Sequence, residues 1–371
     1  MEEQPFAELP GALVDELLSK CGPVSEGLFA SFDKVRGEKE QIRKKLFDLG
    51  LIHRDSEISS APVNPTSCGV DGSYAVERLL STDLAVAAGV AVEGLTPPSE
   101  KRYWPEPRHF CEVKALPHSE FTANVLRAIM ICMELELTSM ASHDVVMMDG
   151  SFTTPLIYIN QGLGSLNDVP SVLADVLSSK AKVAVNAVGQ LLESKRSDQI
   201  YVALPKYTTR REVAEVLGMG DYEDRGLLSF VLGAGEYVGP IQKPVASEPW
   251  NVGRFMEQPG FVEDYRKKIS AVNVVYYRPF DHIPTLRLEV ASSVARNPQR
   301  LSVLLESMRI QCGAPSIFEP YPLFMADRMV KHLSAAIPAL RRTTTQFIAE
   351  RWPEGLGSAF LAMHGYRTDS G

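Results

Sequence analysis

The chain has 371 residues, with 38 basic and 46 acidic side chains and a net charge of −8 at pH 7. This balance argues against a protein that binds nucleic acid through its overall electrostatic field, although it is compatible with a local basic groove. Five scattered cysteines without a Cys-x-x-Cys pair indicate neither a disulfide framework nor a zinc site, and they fit a reducing cytosol. The longest strongly apolar run, residues 84–92, is far shorter than the roughly 20 residues of a membrane helix, and the N-terminus is unlike a signal peptide. We therefore expect a cytoplasmic protein outside the membrane, with two domains or one large domain and an appended arm.

The first part of the chain has the periodicity of a helix. Apolar residues recur at helical spacing over residues 6–50, and a Gly-Pro pair at 22–23 predicts a break there. The charged stretch KVRGEKEQIRKK is more typical of a solvated helical arm than of a DNA-binding element. Residues 57–67, rich in Pro, Ser and Asn, predict a linker into the core.

Three closely spaced strands come next, at residues 68–76, 82–94 and 109–116. Their short connections favour an antiparallel meander. Residues 118–143 have the 3.6-residue period of a helix packed on a sheet, with Ser119 as a plausible N-cap. A fourth strand then ends at Asp149.

The second half of the chain alternates between helices and strands. A long helix is predicted to open at the NDVPSVL stretch, followed by a strand at 199–206 and a helix from about 209. Two further strands are predicted at 272–280 and 285–290, and the end of the chain is mostly helical.

Two stretches place an Asp after an apolar run and before Gly-Ser, at residues 71–73 and 149–151. A single Asp-Gly-Ser is usually a turn, but here a meander and an acid-bearing helix separate two of them. Asp71 on the first strand, an acid on the following helix and Asp149 on the fourth strand match the order of a ribonuclease-H-like fold. Acids brought together in this way hold hard divalent ions that assist phosphodiester hydrolysis.

The helix offers two acids, Glu134 and Glu136. On a helical wheel Glu136 falls inside the apolar arc, whereas Glu134 lies on its edge near Arg127. An acid inside an apolar arc needs a metal ion or a partner, so position slightly favours Glu136. Both remain candidates.

Several motifs in a fixed order resemble the NurA nuclease family over most of residues 65–335. Each is weak alone, and together they are fairly specific. The motifs are VDGSY (70–74), VVMMDGSF (145–152), VALPKYTTR (202–210), DRGLLSFVLGAGEY (224–237), LRLEV (286–290) and PYPLFMADRMVKHL (320–333).

The resemblance implies an α/β fold with a ribonuclease-H-like core, in which a mixed sheet is flanked by helices. It implies a homodimeric, Mn²⁺- or Mg²⁺-dependent DNA nuclease that acts on ends and single strands with a HerA-type hexameric ATPase. Asp71, Asp149 and either Glu134 or Glu136 match the metal-binding positions. The domains expected are a helical arm (1–60), the nuclease domain (61–335) and a C-terminal helical extension (336–371).

The late motif departs from some members, which place Tyr and His near it. Here those positions correspond to Glu319 and Asp327, with His332 about one turn beyond Asp327. Asp327 is therefore a candidate fourth acid, or else a helix acid paired with Lys331 at i+4. Lys206 resembles the family's strand-terminal Lys, which could contact the scissile phosphate, although an exposed Lys at a strand end would look the same.

A small set of basic and aromatic residues could contact DNA without reading its sequence. Basic residues that are simply solvated, and aromatic residues that pack at the rim of the core, would give the same sequence pattern. The candidates are Tyr74, Lys195, Arg196, Arg210 and Arg211.

Candidate dimer or motor contacts are the apolar segments around 225–238 and the helical ends at 1–50 and 322–350. The sequence does not separate a role in repair-type end resection from the destruction of invading DNA. Two alternatives stay open: another ribonuclease-H-like nuclease, such as a resolvase or an enzyme that cleaves RNA hybrids, and a non-catalytic scaffold subunit. Convergence of the acids around a metal-sized gap would weaken the scaffold hypothesis.

Overall fold

A computed structural model describes residues 6, 9–58, 64–79, 82–96, 102–196, 198–243 and 261–351. Parts of the predicted linker (59–63) and of the predicted C-terminal extension (352–371) lie outside these ranges. The strands are β1 (Ile52–Arg54), β2 (Ser67–Arg78), β3 (Asp83–Glu93), β4 (Arg108–Leu116), β5 (Val145–Asp149), β6 (Ile200–Leu204), β7 (Glu236–Gln242), β8 (Val272–Arg278) and β9 (Leu286–Ala291).

The helices surround these strands. They are α1 (Gly11–Asp48), α2 (Thr122–Met140), α3 (Thr154–Gly164), α4 (Ser171–Glu193), α5 (Glu212–Val216), α6 (Asp224–Val231), α7 (Phe261–Ser270), α8 (Ser292–Ala295), α9 (Pro298–Gln311) and α10 (Tyr321–Arg351). In the described ranges, no helix combines the length and the apolar character needed to cross a membrane.

All nine strands form one mixed sheet in the order β1, β7, β8, β9, β6, β5, β2, β3, β4. The strands β2, β3 and β4 form the antiparallel meander that their short connections predicted. β5 pairs in parallel with β2, and β6 pairs in parallel with β5. This half of the sheet is the ribonuclease-H-like core that the order of the acids predicted.

The register of the parallel strands determines which residues meet at their carboxyl ends. Val70 of β2 lies opposite Met148 of β5, so the next residues along the two strands, Asp71 and Asp149, become neighbours. Asp149 in turn lies opposite Leu204 of β6, two residues before Lys206. Three sequence-distant functional groups thus reach one edge of the core.

β5 is buried on both faces, as expected for a parallel strand in the middle of a sheet. Val146 and Met148 pack in a core with α2, α3 and α4, whereas Val145 and Met147 pack in a second core with β9 and α9. An unbroken apolar run suits this position because neither face of the strand meets solvent. Helix α10 packs across β2 and β3.

The structure confirms the strands that were predicted from the alternating and apolar runs, with small shifts at their ends. No sequence pattern predicted β1, β7 or α3. The predicted start of α2 is too early. The helix begins at Thr122, and the Ser119 hydroxyl instead accepts a hydrogen bond from the Phe121 amide at 3.2 Å.

The predicted break at residues 22–23 is wrong, because α1 continues through Pro23 as a single helix. A proline removes one backbone hydrogen bond and crowds the preceding turn, which weakens a helix without always ending it. The N-terminal half of α1 is mostly exposed, whereas Val35, Ile42 and Leu46 are buried.

The segment around 225–238, a predicted interface, is largely internal. Leu227, Leu228, Val231 and Leu232 are fully buried in a third core that includes the C-terminal half of α1. The apolar character of the segment reflects packing within the chain, and this corrects its interpretation as an interface. Helix α10 passes without a break through residue 335, the predicted end of the nuclease domain.

Two glycines make a matched test of this packing. A Cβ atom at Gly69 on β2 would lie 2.5 Å from the backbone carbonyl carbon of Pro322 in α10, whereas a Cβ atom at Gly27 in α1 would meet nothing within 4 Å. We expect Gly69→Ala to lower the free energy of unfolding by about 1–3 kcal/mol through overpacking. Gly27→Ala should instead raise it by about 0.5–1 kcal/mol, since alanine is the better helix former. Urea denaturation measures both changes, and equal effects of the two substitutions would contradict the close contact between α10 and β2.

Candidate metal centre

A cleft of about 1390 Å³ opens at the carboxyl ends of β5 and β6. Its walls come from β2, α2, the turn after β5, the segment after β6 and α10. Acidic and basic side chains both line it, so it brings together groups that lie far apart in the sequence.

The two Asp-Gly-Ser stretches have different structures. Asp149 ends β5, and Gly150 after it has φ +80°, so this stretch is the predicted turn. Asp71, however, lies inside β2, which continues to Arg78 with Gly72 paired to Gly89 of β3. The strand predicted at residues 68–76 therefore continues through Asp71, and the turn that is usual for a single Asp-Gly-Ser does not form there. In both stretches the Gly amide donates a 2.8 Å hydrogen bond to Oδ1 of the preceding Asp.

Gly72 is required because a neighbouring helix packs closely against it, and not because it forms a turn. A Cβ atom at this position would lie 2.5 Å from Oε1 of Glu134 and 2.7 Å from Cγ of Met130. Both residues belong to α2, which crosses β2 directly above Gly72. The missing side chain thus leaves space for the Glu134 carboxylate beside Asp71.

Three carboxylates converge in the cleft. Asp71, Asp149 and Asp327 each offer one oxygen, and these oxygens lie within 4.8 Å of one another. Asp327 comes from α10, and its Oδ2 also accepts a 2.7 Å hydrogen bond from Lys331, the i+4 partner considered from the sequence. His332 is exposed and lies outside the residues that line the cleft.

Only one of the two candidate glutamates reaches this group. Glu134 is buried and lines the cleft, whereas Glu136 lies outside it, with its Oε2 3.5 Å from Nζ of Lys180 in α4. The helical-wheel preference for Glu136 is therefore wrong. Helix α2 is covered by the sheet on one side and by α3 and α4 on another, so its apolar arc did not distinguish the side that faces the cleft.

Lys206 lies among the acids. Its Nζ is 3.2 Å from Oδ2 of Asp149, 3.1 Å from Oε2 of Glu319 and 3.7 Å from Oδ1 of Asp327. Burial alone would lower the pKa of this ammonium group, but Asp149 and Glu319 raise it above its ordinary value. Lys206 therefore stays charged and partly compensates the carboxylates.

Lys206 leaves part of the negative charge uncompensated, and burial and mutual repulsion destabilise this charge. Burial, followed by the charge of Asp149, raises the pKa of Asp71 to about 7. Burial also raises the pKa of Glu134 well above its ordinary value, with further contributions from Asp71 and Asp149. A divalent cation would relieve this repulsion, and clustered carboxylate oxygens are the donors that Mg²⁺ and Mn²⁺ prefer. The side chains present thus fit a hard divalent ion.

A buried polar cluster beside Asp149 was not predicted as part of the site. Nζ of Lys243 lies 2.8 Å from both carboxylate oxygens of Glu289 and 2.7 Å from Oγ of Ser151. Burial would raise the pKa of Glu289, but Lys243 and Arg287 hold it below its ordinary value. One sequence feature could have indicated this cluster: Glu289 is an acid at the otherwise apolar end of the strand LRLEV.

The predicted DNA contacts divide into two groups. Arg210 lines the cleft, and Arg211 lies next to it but donates a 2.7 Å hydrogen bond to the Gly220 carbonyl. Tyr74 lies outside the cleft lining, and its hydroxyl accepts a 2.6 Å hydrogen bond from Arg127.

Lys195 and Arg196 lie before β6, at the end opposite Lys206, and they pair with Glu193 and Asp198. They therefore lie away from the cleft, and a contact between these two residues and DNA stays a prediction. Residues close in sequence to a cleft-forming strand need not reach the cleft, because a strand has two ends.

No protein-family model matches the sequence, and no curated protein matches it either. Among solved structures, the chain is similar to the NurA nuclease from Sulfolobus solfataricus, with a TM-score of 0.56 and 13% identity over 87% of this chain and 92% of that one. A structure of NurA with manganese has a TM-score of 0.51 and 15% identity over 87% and 98% of the two chains. A structure of NurA bound to dAMP and manganese has a TM-score of 0.50 and 14% identity over 87% and 97%. The resemblance found in the motifs is thus confirmed at the level of structure: this chain has the fold of the NurA nucleases.

Proposed function

We propose that this protein is a divalent-metal-dependent nuclease that hydrolyses phosphodiester bonds in DNA. The observation that carries the proposal is the convergence of Asp71, Asp149 and Asp327 within 4.8 Å, in a cleft that Glu134 and Lys206 also line. A non-catalytic scaffold would have no need to bury repelling carboxylates in an open cleft, because their desolvation costs stability. The geometry therefore favours an enzyme over a scaffold.

In this proposal Asp71, Glu134 and Asp149 hold Mn²⁺ or Mg²⁺, and Asp327 contributes a further carboxylate. When bound, such an ion makes an attacking water more acidic and neutralises charge on the leaving oxygen. Lys206 holds its ammonium group beside Asp149, where it can contact a non-bridging oxygen of the scissile phosphate. Arg210, on the wall of the cleft, contacts a neighbouring phosphate without reading sequence.

The proposed substrate is DNA at ends and in single strands. The sequence is acidic overall, with a net charge of −8, so long stretches of duplex would not be held by its general electrostatic field. A few basic groups inside one cleft, including Lys206, Arg210 and Lys331, suit a short segment of strand delivered to the acids. The solved NurA structure that contains dAMP and manganese supports a deoxynucleotide substrate by analogy of fold.

We also propose that the chain works as a homodimer with a HerA-type hexameric ATPase that delivers DNA, in end resection or in the destruction of invading DNA. Exposed apolar side chains along the N-terminal half of α1, including Leu13, Leu17 and Val24, support a protein partner on this helix. A motor that threads DNA would also explain why the nuclease itself needs only a short basic channel.

Cleavage of end-labelled linear and circular DNA in Mn²⁺ tests the activity and the requirement for ends. We expect the wild type to degrade linear DNA, with greater activity when the ATPase is present, and to spare circles. Asp71→Ala and Asp149→Ala should each reduce cleavage to the metal-free background, because each removes a carboxylate from the group. Circular dichroism would verify that both variants fold, and cleavage retained by a folded variant would argue strongly against the proposal.

Glu134 and Glu136 provide a matched pair two residues apart on α2. Glu134→Gln should bring cleavage close to background, since it removes a charge that faces the metal-binding carboxylates. Glu136→Gln should cleave like the wild type, because its partner is Lys180 outside the cleft. Initial rates at saturating Mn²⁺ measure the difference, and the reverse order of activities would exclude Glu134 as the helix ligand.

Metal binding should also be visible without DNA. A ligand that binds only the folded state adds about 2.7 kcal/mol of stability at a free concentration 100 times its Kd. We expect Mn²⁺ to raise the thermal unfolding midpoint of the wild type and EDTA to reverse the change. Asp149→Asn should lose this response because it lacks one anionic ligand. An equal Mn²⁺ response in wild type and variant would show that the ion binds elsewhere.

A further inference from the structure

The turn that carries Asp149 is attached to the polar cluster of Ser151, Glu289 and Lys243, in which Glu289 and Lys243 are buried and Ser151 is partly exposed. The Ser151 hydroxyl donates to Oε2 of Glu289 at 2.7 Å, and the Phe152 amide donates to the same oxygen at 3.1 Å. Nζ of Lys243 donates to the Ser151 hydroxyl at 2.7 Å. Two consecutive residues of the turn are therefore bonded to one carboxylate.

This carboxylate is itself held from several directions. Glu289 lies on β9, opposite Ala203 of β6 and Val274 of β8, so its backbone is fixed in the centre of the sheet. Arg287, fully buried, lies 3.3 Å from Oε1 of Glu289 and 3.1 Å from Oε2 of Glu212. Glu289 is thus a rigid anchor between two cations.

Asp149 itself has no comparable anchor on its side chain. Its carboxylate accepts a hydrogen bond from the adjacent Gly150 amide and pairs with Lys206, and about a quarter of the side chain is exposed. The direction of the carboxylate consequently depends on the backbone of the turn, where Gly150 has φ +80°. Whatever fixes residues 151 and 152 also fixes where Asp149 points.

We propose that Ser151, Glu289 and Lys243 are positioning residues that aim the Asp149 carboxylate for divalent-ion binding. The inference rests on the proposed function. A buried ion pair gives little net stability compared with apolar packing, so stability alone is a poor reason for this cluster. Its hydrogen bonds are directed at the Asp149 turn, and groups that orient metal ligands typically change metal affinity or activity 10- to 100-fold when removed.

Ser151→Ala is the most selective test, because it removes the side-chain link to the turn while leaving every charge of the cluster and the Phe152 amide bond in place. Titration with Mn²⁺, followed by the electron paramagnetic resonance signal of the free ion, gives Kd without DNA. We expect Ser151→Ala to raise Kd about tenfold. Ser151→Thr, which keeps the hydroxyl, should restore Kd to within about twofold of the wild type.

Ser307→Ala is the matched control. The Ser307 hydroxyl is buried and lies 2.7 Å from the hydroxyl of Ser67, the first residue of β2, four residues before Asp71. Its removal should lower the unfolding midpoint while leaving the Mn²⁺ Kd unchanged. This control separates loss of stability from loss of metal positioning.

Each outcome has a distinct meaning. Wild-type Kd and cleavage in Ser151→Ala would overturn the positioning role and leave the proposed nuclease function standing. Equal increases of Kd in Ser151→Ala and Ser307→Ala would also overturn it, since the effect would then come from general destabilisation. If the wild type neither binds Mn²⁺ nor cleaves DNA, the proposed function fails, and the positioning role fails with it.

Discussion

The parallel pairing of β2 with β5 is the constraint on which the candidate site depends. Val70 lies opposite Met148, and this register alone makes Asp71 and Asp149 neighbours. A shift of one residue would turn every side chain of β5 to the other face of the sheet. Since β5 packs between two cores, its four apolar residues resist such a shift, and the geometry of the candidate site is supported by ordinary hydrophobic burial.

Close packing against the paired strands brings two further acids, Glu134 and Asp327, to the same cleft. Gly72 leaves room for Glu134 to approach from α2, and Gly69 lets α10 lie directly against β2, so that Asp327 reaches the same cleft. Each contact depends on a missing side chain, because a Cβ atom would collide with the neighbouring element. Glycine within a strand often marks such a close approach.

Electrostatic repulsion between the carboxylates opposes this packing. Burial and the neighbouring carboxylates raise the pKa values of Asp71 and Glu134. Folding therefore shifts both acids toward their protonated forms. Lys206 compensates part of this charge, and a divalent ion would compensate more. Beside them, Lys243 and Arg287 pair with Glu289 and Glu212 in a charge-balanced cluster that anchors the turn after β5. The site thus combines an excess of negative charge around Asp71 and Asp149 with balanced charges on the neighbouring wall of the cleft.

The sequence by itself determined the meander, the helix after it, the order of the acids and the NurA-like fold, because apolar periodicity and motif order are local and readable along one chain. It predicted Asp71, Asp149 and Lys206, which lie on or next to core strands, as members of the site. Only the tertiary structure decided between Glu134 and Glu136, because α2 is covered by both sheet and helices and its wheel does not distinguish them. The late motif offered Asp327 as a candidate fourth acid and placed Glu319 near it, whereas only the tertiary structure brought the Glu289 cluster to the cleft and separated Lys195 and Arg196 from it. The contact between Ser151 and Glu289 joins residues 138 positions apart, and it depends on three-dimensional packing that no local pattern encodes.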